Sequence, residues 1–186
     1  MDDSVWNRLG LICSLVEKSK GKAGRTALMK FAYFLKELKG VPLDYRFTLY
    51  TYGPFDSRVL DDLSYAEALE AVVGTLVHFS GGYGYEYSLG TKGDQLKERA
   101  RDFLAEYEQE ITAVVQEFGS KTAGELEMIS TIVYIDRSAK ERESFHSMDE
   151  LSKKVVGVKP YLDFEDVREE TENLHGREYL QAVEAQ

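Results

Sequence analysis

The chain has 186 residues, 43% of them hydrophobic and 12% aromatic, with 23 Lys and Arg against 33 Asp and Glu for a net charge of −10. That length and apolar content exclude a disordered chain and give one domain with a substantial core, or a small domain with a helical extension. The single Cys13 excludes an intrachain disulfide framework. No apolar run reaches the roughly 20 residues that cross a bilayer, and the acidic start MDDSVWNRLG is unlike a signal peptide. A cytoplasmic protein without membrane contact is the expectation.

The charge is unevenly spread. Residues 1–50 carry nine Lys and Arg against five acids, and the remainder fourteen against twenty-eight. An acidic body argues against nucleic acid as the main ligand and allows a basic protein partner, although ordinary solubility explains it equally well.

In chain order, Ser4–Ser19 shows a helical stripe of Val5, Leu9, Ile12 and Val16. The stretch KSKGKAG interrupts it. A second helix is expected over Thr26–Lys39, closed by Gly40 and Pro42. Tyr45–Tyr52 reads as a strand, rich in Tyr, Phe, Leu and Thr. Its alternation sets Tyr45, Phe47 and Leu49 on one side and Tyr50 and Tyr52 on the other, with this aromatic set assigned to the core. Gly53-Pro54 turns the chain into a helix over Asp56–Ala71, with five acids against the lone Arg58.

Val72–Phe79 and Tyr83–Leu89 make a hairpin around Ser80-Gly81-Gly82. Helix, helix, helix and hairpin is the order of a winged helix-turn-helix, in which the acidic helix would stand where DNA is read. Four excess negative charges there would be repelled by phosphates, so the pattern points to a protein partner. The residues that would meet it are Asp56, Arg58, Asp61, Asp62 and Tyr65 on the helix, with Tyr83 and Tyr85 on the wing.

Asp94–Phe118 is the longest periodic segment, a helix expected to be about 37 Å long at 1.5 Å per residue. Its stripe, which includes Phe103, Tyr107, Ile111, Val114 and Phe118, must be covered by the C-terminal helices or by a second copy of the chain, and a homodimer contact is placed there. Thr122-Ala-Gly-Glu125 and Ser147-Met-Asp-Glu150 read as capping boxes of two further helices. Asp136–Ser144 between them reads as a solvated loop. A last, acidic helix is expected from Phe164 to about Leu180. The fold class is thus mainly α with a small antiparallel sheet: a winged-helix-like core over 1–93, then a long helix and helical C-terminal part over 94–186. The best internal boundary lies near Gly119-Ser120.

Gly24-Arg25-Thr26-x-Leu28-x-Lys30, Tyr33-Phe34-Leu35, Val41-Pro42-Leu43 and Phe47-x-x-Tyr50-x-Tyr52-Gly53-Pro54-Phe55 resemble the opening of the YwgA-like proteins of bacteria and archaea, and more distantly the SocA or Panacea antitoxin domain. Leu126–Thr131 and Val158-Lys159-Pro160 resemble the second half of the YwgA-like pattern. The resemblance implies a winged-helix-like core with a helical extension and, for SocA-type members, neutralisation of a toxin. One departure is Gly90, where winged proteins usually carry Thr, a change expected to loosen the junction to the next helix.

No catalytic pattern is present. His78, His146 and His175 lie far apart, Cys13 has no metal-binding neighbour, and neither GxSxG nor a P-loop occurs, so no cofactor or metal is expected. The basic set Lys20, Lys22, Arg25, Thr26 and Lys30 sits at a helix start, where an anion or nucleic-acid backbone would be favoured. A solvated loop with Thr26 as N-cap explains it too. The function expected is a non-catalytic, antitoxin-like protein-binding module, with a winged-helix DNA-binding regulator as the alternative.

Overall fold

The structure, a computed structural model, describes residues 3–79 and 82–183, without the side chains of Asp3 and Phe79. The expected turn at Ser80-Gly81 lies outside these residues. The chain is mainly α with two small antiparallel two-stranded sheets. It divides into two compact units. One holds the described residues up to Phe47 with Asp56–Ala123; the other holds Thr48–Phe55 with the described residues from Gly124 onward. The segment 94–118 belongs to the first unit, and a short piece of the N-terminal half, Thr48–Phe55, belongs to the second.

The first unit is built on α1 (Asp3–Lys18) and α2 (Arg25–Lys39). Leu9, Ile12, Leu15 and Val16 of α1 and Leu28, Phe31, Phe34 and Leu35 of α2 are fully buried, each such side chain contributing about 2 kcal/mol of apolar burial. Helix α2 ends at Gly40, whose φ of 68° is the left-handed conformation that a C-terminal glycine adopts readily. It starts one residue earlier than expected, so its N-cap is Gly24 and not Thr26.

Helix α3 (Ser57–Ala68) follows, then β3 (Val72–Phe79) and β4 (Gly82–Leu89) in a hairpin with Val72 opposite Leu89 and Leu76 opposite Tyr85. The expected long helix is broken into α4 (Gly93–Arg99), α5 (Arg101–Glu106) and α6 (Glu108–Phe118). The breaks fall at Ala100 and Tyr107, whose ψ angles of 14° and 20° leave the helical range. At the first break α1 comes so close that a Cβ on Gly10 would lie 2.3 Å from that of Ala100. A straight helix would carry its C-terminal half away from the core. The two breaks turn α6 back onto α1 and α2, where Phe118 packs on Phe34 with ring centroids 4.3 Å apart.

The second unit holds β1 (Thr48–Tyr50), β2 (Gly53–Phe55), α7 (Ala123–Glu141), α8 (Met148–Val158) and α9 (Phe164–Gly176). The strand expected over 45–52 is thus three residues long and pairs with β2, Tyr50 opposite Gly53. Helix α7 runs through most of the segment expected as a solvated loop. The reason is Asp136: fully buried, its carboxylate accepts the backbone N–H groups of Gln181 and Ala182 at 2.8–3.0 Å and pairs with Arg137. Those bonds hold the C-terminal strap to α7. The capping box at Ser147 is present: its hydroxyl accepts from the Glu150 N–H, and its own N–H donates to the Glu150 carboxylate. Helix α8 packs on α9, with Ser152 Oγ 3.3 Å from Thr171 Oγ1 in the buried seam. No helix among the described residues is long and apolar enough to cross a membrane.

Candidate functional site

The acidic helix α3 turns half of its charge inward. Asp56 is its N-cap and accepts from the N–H of Arg58 at 3.0 Å, from the N–H of Arg46 and from the Arg58 guanidinium at 2.8 Å. Burial alone would push its pKa up, but these hydrogen bonds outweigh it and hold the carboxyl below its usual value. Asp62, also buried, accepts from Arg8 Nε at 2.8 Å and from the Tyr45 hydroxyl at 2.7 Å. Burial lowers the Arg8 pKa, yet the hydrogen bond and charge of Asp62 win, and the net shift is upward. The Arg8 and Arg58 guanidiniums both face the buried Tyr45 ring, 5.5 and 5.7 Å from its centroid. Burial, followed by the Asp62 charge, raises the Tyr45 hydroxyl well above its usual value. Asp56 and Asp62, expected to meet a partner, therefore belong to an internal network, and Arg58 is tied to it. Asp61 and Tyr65 remain exposed.

On the wing, Tyr83, Tyr85 and Tyr87 share one face, but depth separates them. Tyr87 at the base is fully buried, while Tyr85 is 38% and Tyr83 70% exposed. The Tyr87 N–H donates to the Ala23 carbonyl at 3.1 Å, and Arg25 Nε donates to the Tyr87 hydroxyl at 3.0 Å while its guanidinium lies 4.8 Å over the Tyr85 ring. Gly90 does not loosen the end of this hairpin. Its N–H donates to Ala71 O at 2.8 Å, and a Cβ there would stand 2.3 Å from Glu70 O, so the close approach requires glycine.

The basic set does not converge. Lys20, Lys22 and Thr26 are exposed, Arg25 is committed to the two wing tyrosines, and Lys30 is buried, so Lys30 cannot present its charge to a nucleic-acid backbone. The residues assigned to a dimer contact divide similarly. Ile111, Val114 and Phe118 are buried within the first unit, which removes them from any surface between copies. Phe103 and Tyr107 are half-buried and stack on each other at 5.1 Å.

A further surface lies in the second unit and includes two tyrosines, Tyr50 and Tyr52, expected in the core. Tyr50 and Tyr52, at the tip of the β1–β2 hairpin, are 65% and 69% exposed, and Tyr161, just after α8, is 65% exposed. The alternation was right, but it is the Tyr45 side that is buried. What organises the tip is Lys159, itself buried: its ammonium donates to the carbonyls of Tyr50 and Thr51 and pairs with Glu127 of α7 at 3.0 Å. Glu127 also accepts from the Tyr161 hydroxyl, and the Lys159 ammonium lies 5.9 Å from the Tyr161 ring centroid. Burial, the bond to Glu127 and its charge, and neighbouring Tyr52 push the Tyr161 hydroxyl up to about 12, so it stays a protonated donor. On the hairpin, Tyr50 also leans on Phe55, with centroids 5.8 Å apart.

Lys159 therefore joins the tip of the β1–β2 hairpin, at Tyr50 and Thr51, to the segment Val158-Lys159-Pro160, more than 100 residues away. No local pattern in the sequence marks this junction, because nothing local tells a lysine which carbonyls it will meet. No protein-family model and no curated protein matches the chain.

Proposed function

We propose that this chain is a non-catalytic protein-binding module of the antitoxin-like type implied by its more distant resemblance to the SocA proteins. The observation that carries this reading is the set of three exposed tyrosines on a support fixed by buried Lys159. Tyrosine combines large apolar area with a hydroxyl and few rotatable bonds, which is why it recurs at binding hot spots. A rigid support lowers the ordering cost that a partner would otherwise have to offset. Asp61 and Tyr65, still exposed on α3, add a second contact region.

A DNA-reading role draws less support. The α3 surface still shows Asp61, Arg25 is engaged on the wing tyrosines, and Lys30 is buried.

The test is a photoreactive phenylalanine analogue at position 52 in the native host, with a second at exposed Glu143 as control. The reading expects a discrete protein adduct from position 52 that disappears when Tyr50 and Tyr161 become Ala. Adducts to nucleic acid, or the same adducts from both positions, would overturn it. For the antitoxin-like part, co-expression with the toxic product of an adjacent gene should rescue growth, and Tyr52→Ala with Tyr161→Ala should abolish rescue.

A further inference from the structure

The chemistry around the tyrosine surface narrows the kind of partner, on the premise that the surface binds protein. From Gly124 onward the sequence carries eight Lys and Arg against fifteen Asp and Glu, a balance of −7, and Thr48–Phe55 adds no charge. Two cations of this unit are already engaged: Lys159 is buried against Glu127, and Arg168 is paired with Asp149 at 2.7 Å and Glu172 at 2.9 Å. Carboxylates are available instead. Helix α9 begins three residues beyond Tyr161, and its Glu165, Asp166 and Glu169 are exposed. Tyr50 and Tyr52 are exposed, and the faces of a tyrosine ring carry the negative side of its quadrupole.

We propose that the Tyr50–Tyr52–Tyr161 surface and the exposed acids of α9 dock an arginine-bearing basic segment of a partner protein. A guanidinium is planar and weakly hydrated. It lies flat on a phenol ring while its donors reach carboxylates, a combination that the compact, strongly hydrated lysine ammonium matches poorly. The same stacking recurs inside this chain, with Arg25 over Tyr85 and Arg99 4.3 Å over Trp6. Acidity alone would hold lysine and arginine equally; the rings make arginine the preferred residue.

The experiment uses the full chain with fluorescent octa-arginine, octa-lysine and a single-stranded oligonucleotide, read by anisotropy at low ionic strength. Octa-arginine is expected to bind about tenfold more tightly than octa-lysine, the difference that two exposed cation–π contacts supply. Tyr50→Ala with Tyr52→Ala should close that gap, and both side chains are exposed enough for the variant to keep its circular dichroism. Tyr83→Ala should leave the gap intact. Equal affinity for the two peptides, or a preference for arginine that survives loss of both tyrosines, would overturn the proposal. So would oligonucleotide binding that the same substitutions weaken. If octa-arginine shows no preference while position 52 still crosslinks a protein in the host, the protein-binding reading stands and the basic partner falls. If the arginine preference holds but no protein crosslinks, the wider reading fails.

Discussion

The segment Asp56–Ala71, which holds α3, and the helix α9 carry the same charge and use it in opposite ways. Asp56–Ala71 has five acids and one base, and so does α9. In α3, Asp62 falls in phase with Val59, Leu63 and Ala66, on the face that packs toward α1 and α2, and is buried against Arg8 and Tyr45. In α9 the buried positions are Val167, Thr171 and Leu174, and every acid falls off that stripe. A count of charges cannot separate the two segments, but the phase of each acid relative to the apolar stripe does. An acid on the stripe is a structural group that needs a partner; an acid off it is surface.

The sharpest way to break this comparison is to remove one acid from each helix. Asp62→Ala leaves the Arg8 guanidinium buried with Asp44 as its remaining ion-pair partner, and Asp44 is half-exposed. Breaking a buried pair in this way is expected to cost about 3–5 kcal/mol. Asp166→Asn in α9, exposed and off the stripe, should stay within about 0.5 kcal/mol of the parent. Urea unfolding of both variants checks the contrast. A mild Asp62→Ala would mean that the α3 network is not structural.

The same reasoning from phase shows what was legible in the sequence. Helix α2 and the β3–β4 hairpin were readable because Gly40 and strand composition mark them locally, and Ser147–Glu150 capped α8 as its spacing implies. The 94–118 helix was misread because its stripe continues across Ala100 and Tyr107; periodicity records which residues are apolar, not where the axis turns. At the first break Ala100 packs against Gly10 of α1, a tertiary contact that no local signal carries. Asp136 and Lys159 were invisible for a related reason, since each bonds backbone 45 or more residues away. The buried stripe leads to a definite expectation: Ile111→Glu should not dissociate a dimer but destabilise the first unit by about 4 kcal/mol. A thermal melt with light scattering would show a lower Tm at unchanged mass.

At the C-terminal end of α3 the contrast extends to the backbone. Gly90 lies against the carbonyl of Glu70, whose own φ is +58°. Gly90→Thr, which would restore the residue usual in winged proteins, is expected to destabilise by about 3 kcal/mol, because the group it meets is backbone and cannot swing aside. Gly176 at the end of α9 has open space around a Cβ, so Gly176→Ala should be neutral or slightly stabilising by the same measurement.

Both helices begin with an aspartate cap, and the caps differ in depth. Asp163 accepts from the N–H groups of Glu165 and Asp166 on an exposed turn, so Asp163→Ala should cost about 1 kcal/mol. Asp56 adds the Arg46 N–H and the Arg58 guanidinium to its cap bond, and Asp56→Ala should cost about 2 kcal/mol, the upper end for caps. Asp56 also carries a pH dependence. The folded pKa of Asp56 lies below its usual 3.8, so its contribution is complete above that value and is lost as pH falls through the folded value. Asp56→Asn should flatten the loss of stability below about pH 4 in an acid titration followed by circular dichroism.

The smallest expected effect also has the opposite sign. Glu169 has Glu165 four residues before it, Asp166 three before and Glu172 three after, all on a solvated face. Like charges at these spacings oppose the helix by about 0.2–0.5 kcal/mol per pair, and Arg168, already paired with Asp149 and Glu172, relieves little of it. Glu169→Gln should therefore stabilise the second unit by about 0.5 kcal/mol at low salt, and about 1 M salt should erase the gain by screening. Asp61→Asn on α3 has Ser57, Arg58, Ser64 and Tyr65 at the corresponding spacings, so losing its charge relieves no repulsion and should leave stability unchanged or slightly lower. Paired melts of the two variants at low and high salt decide the matter. A destabilised Glu169→Gln would show that the α9 acids are engaged within the chain, and α9 would then resemble α3 instead of contrasting with it.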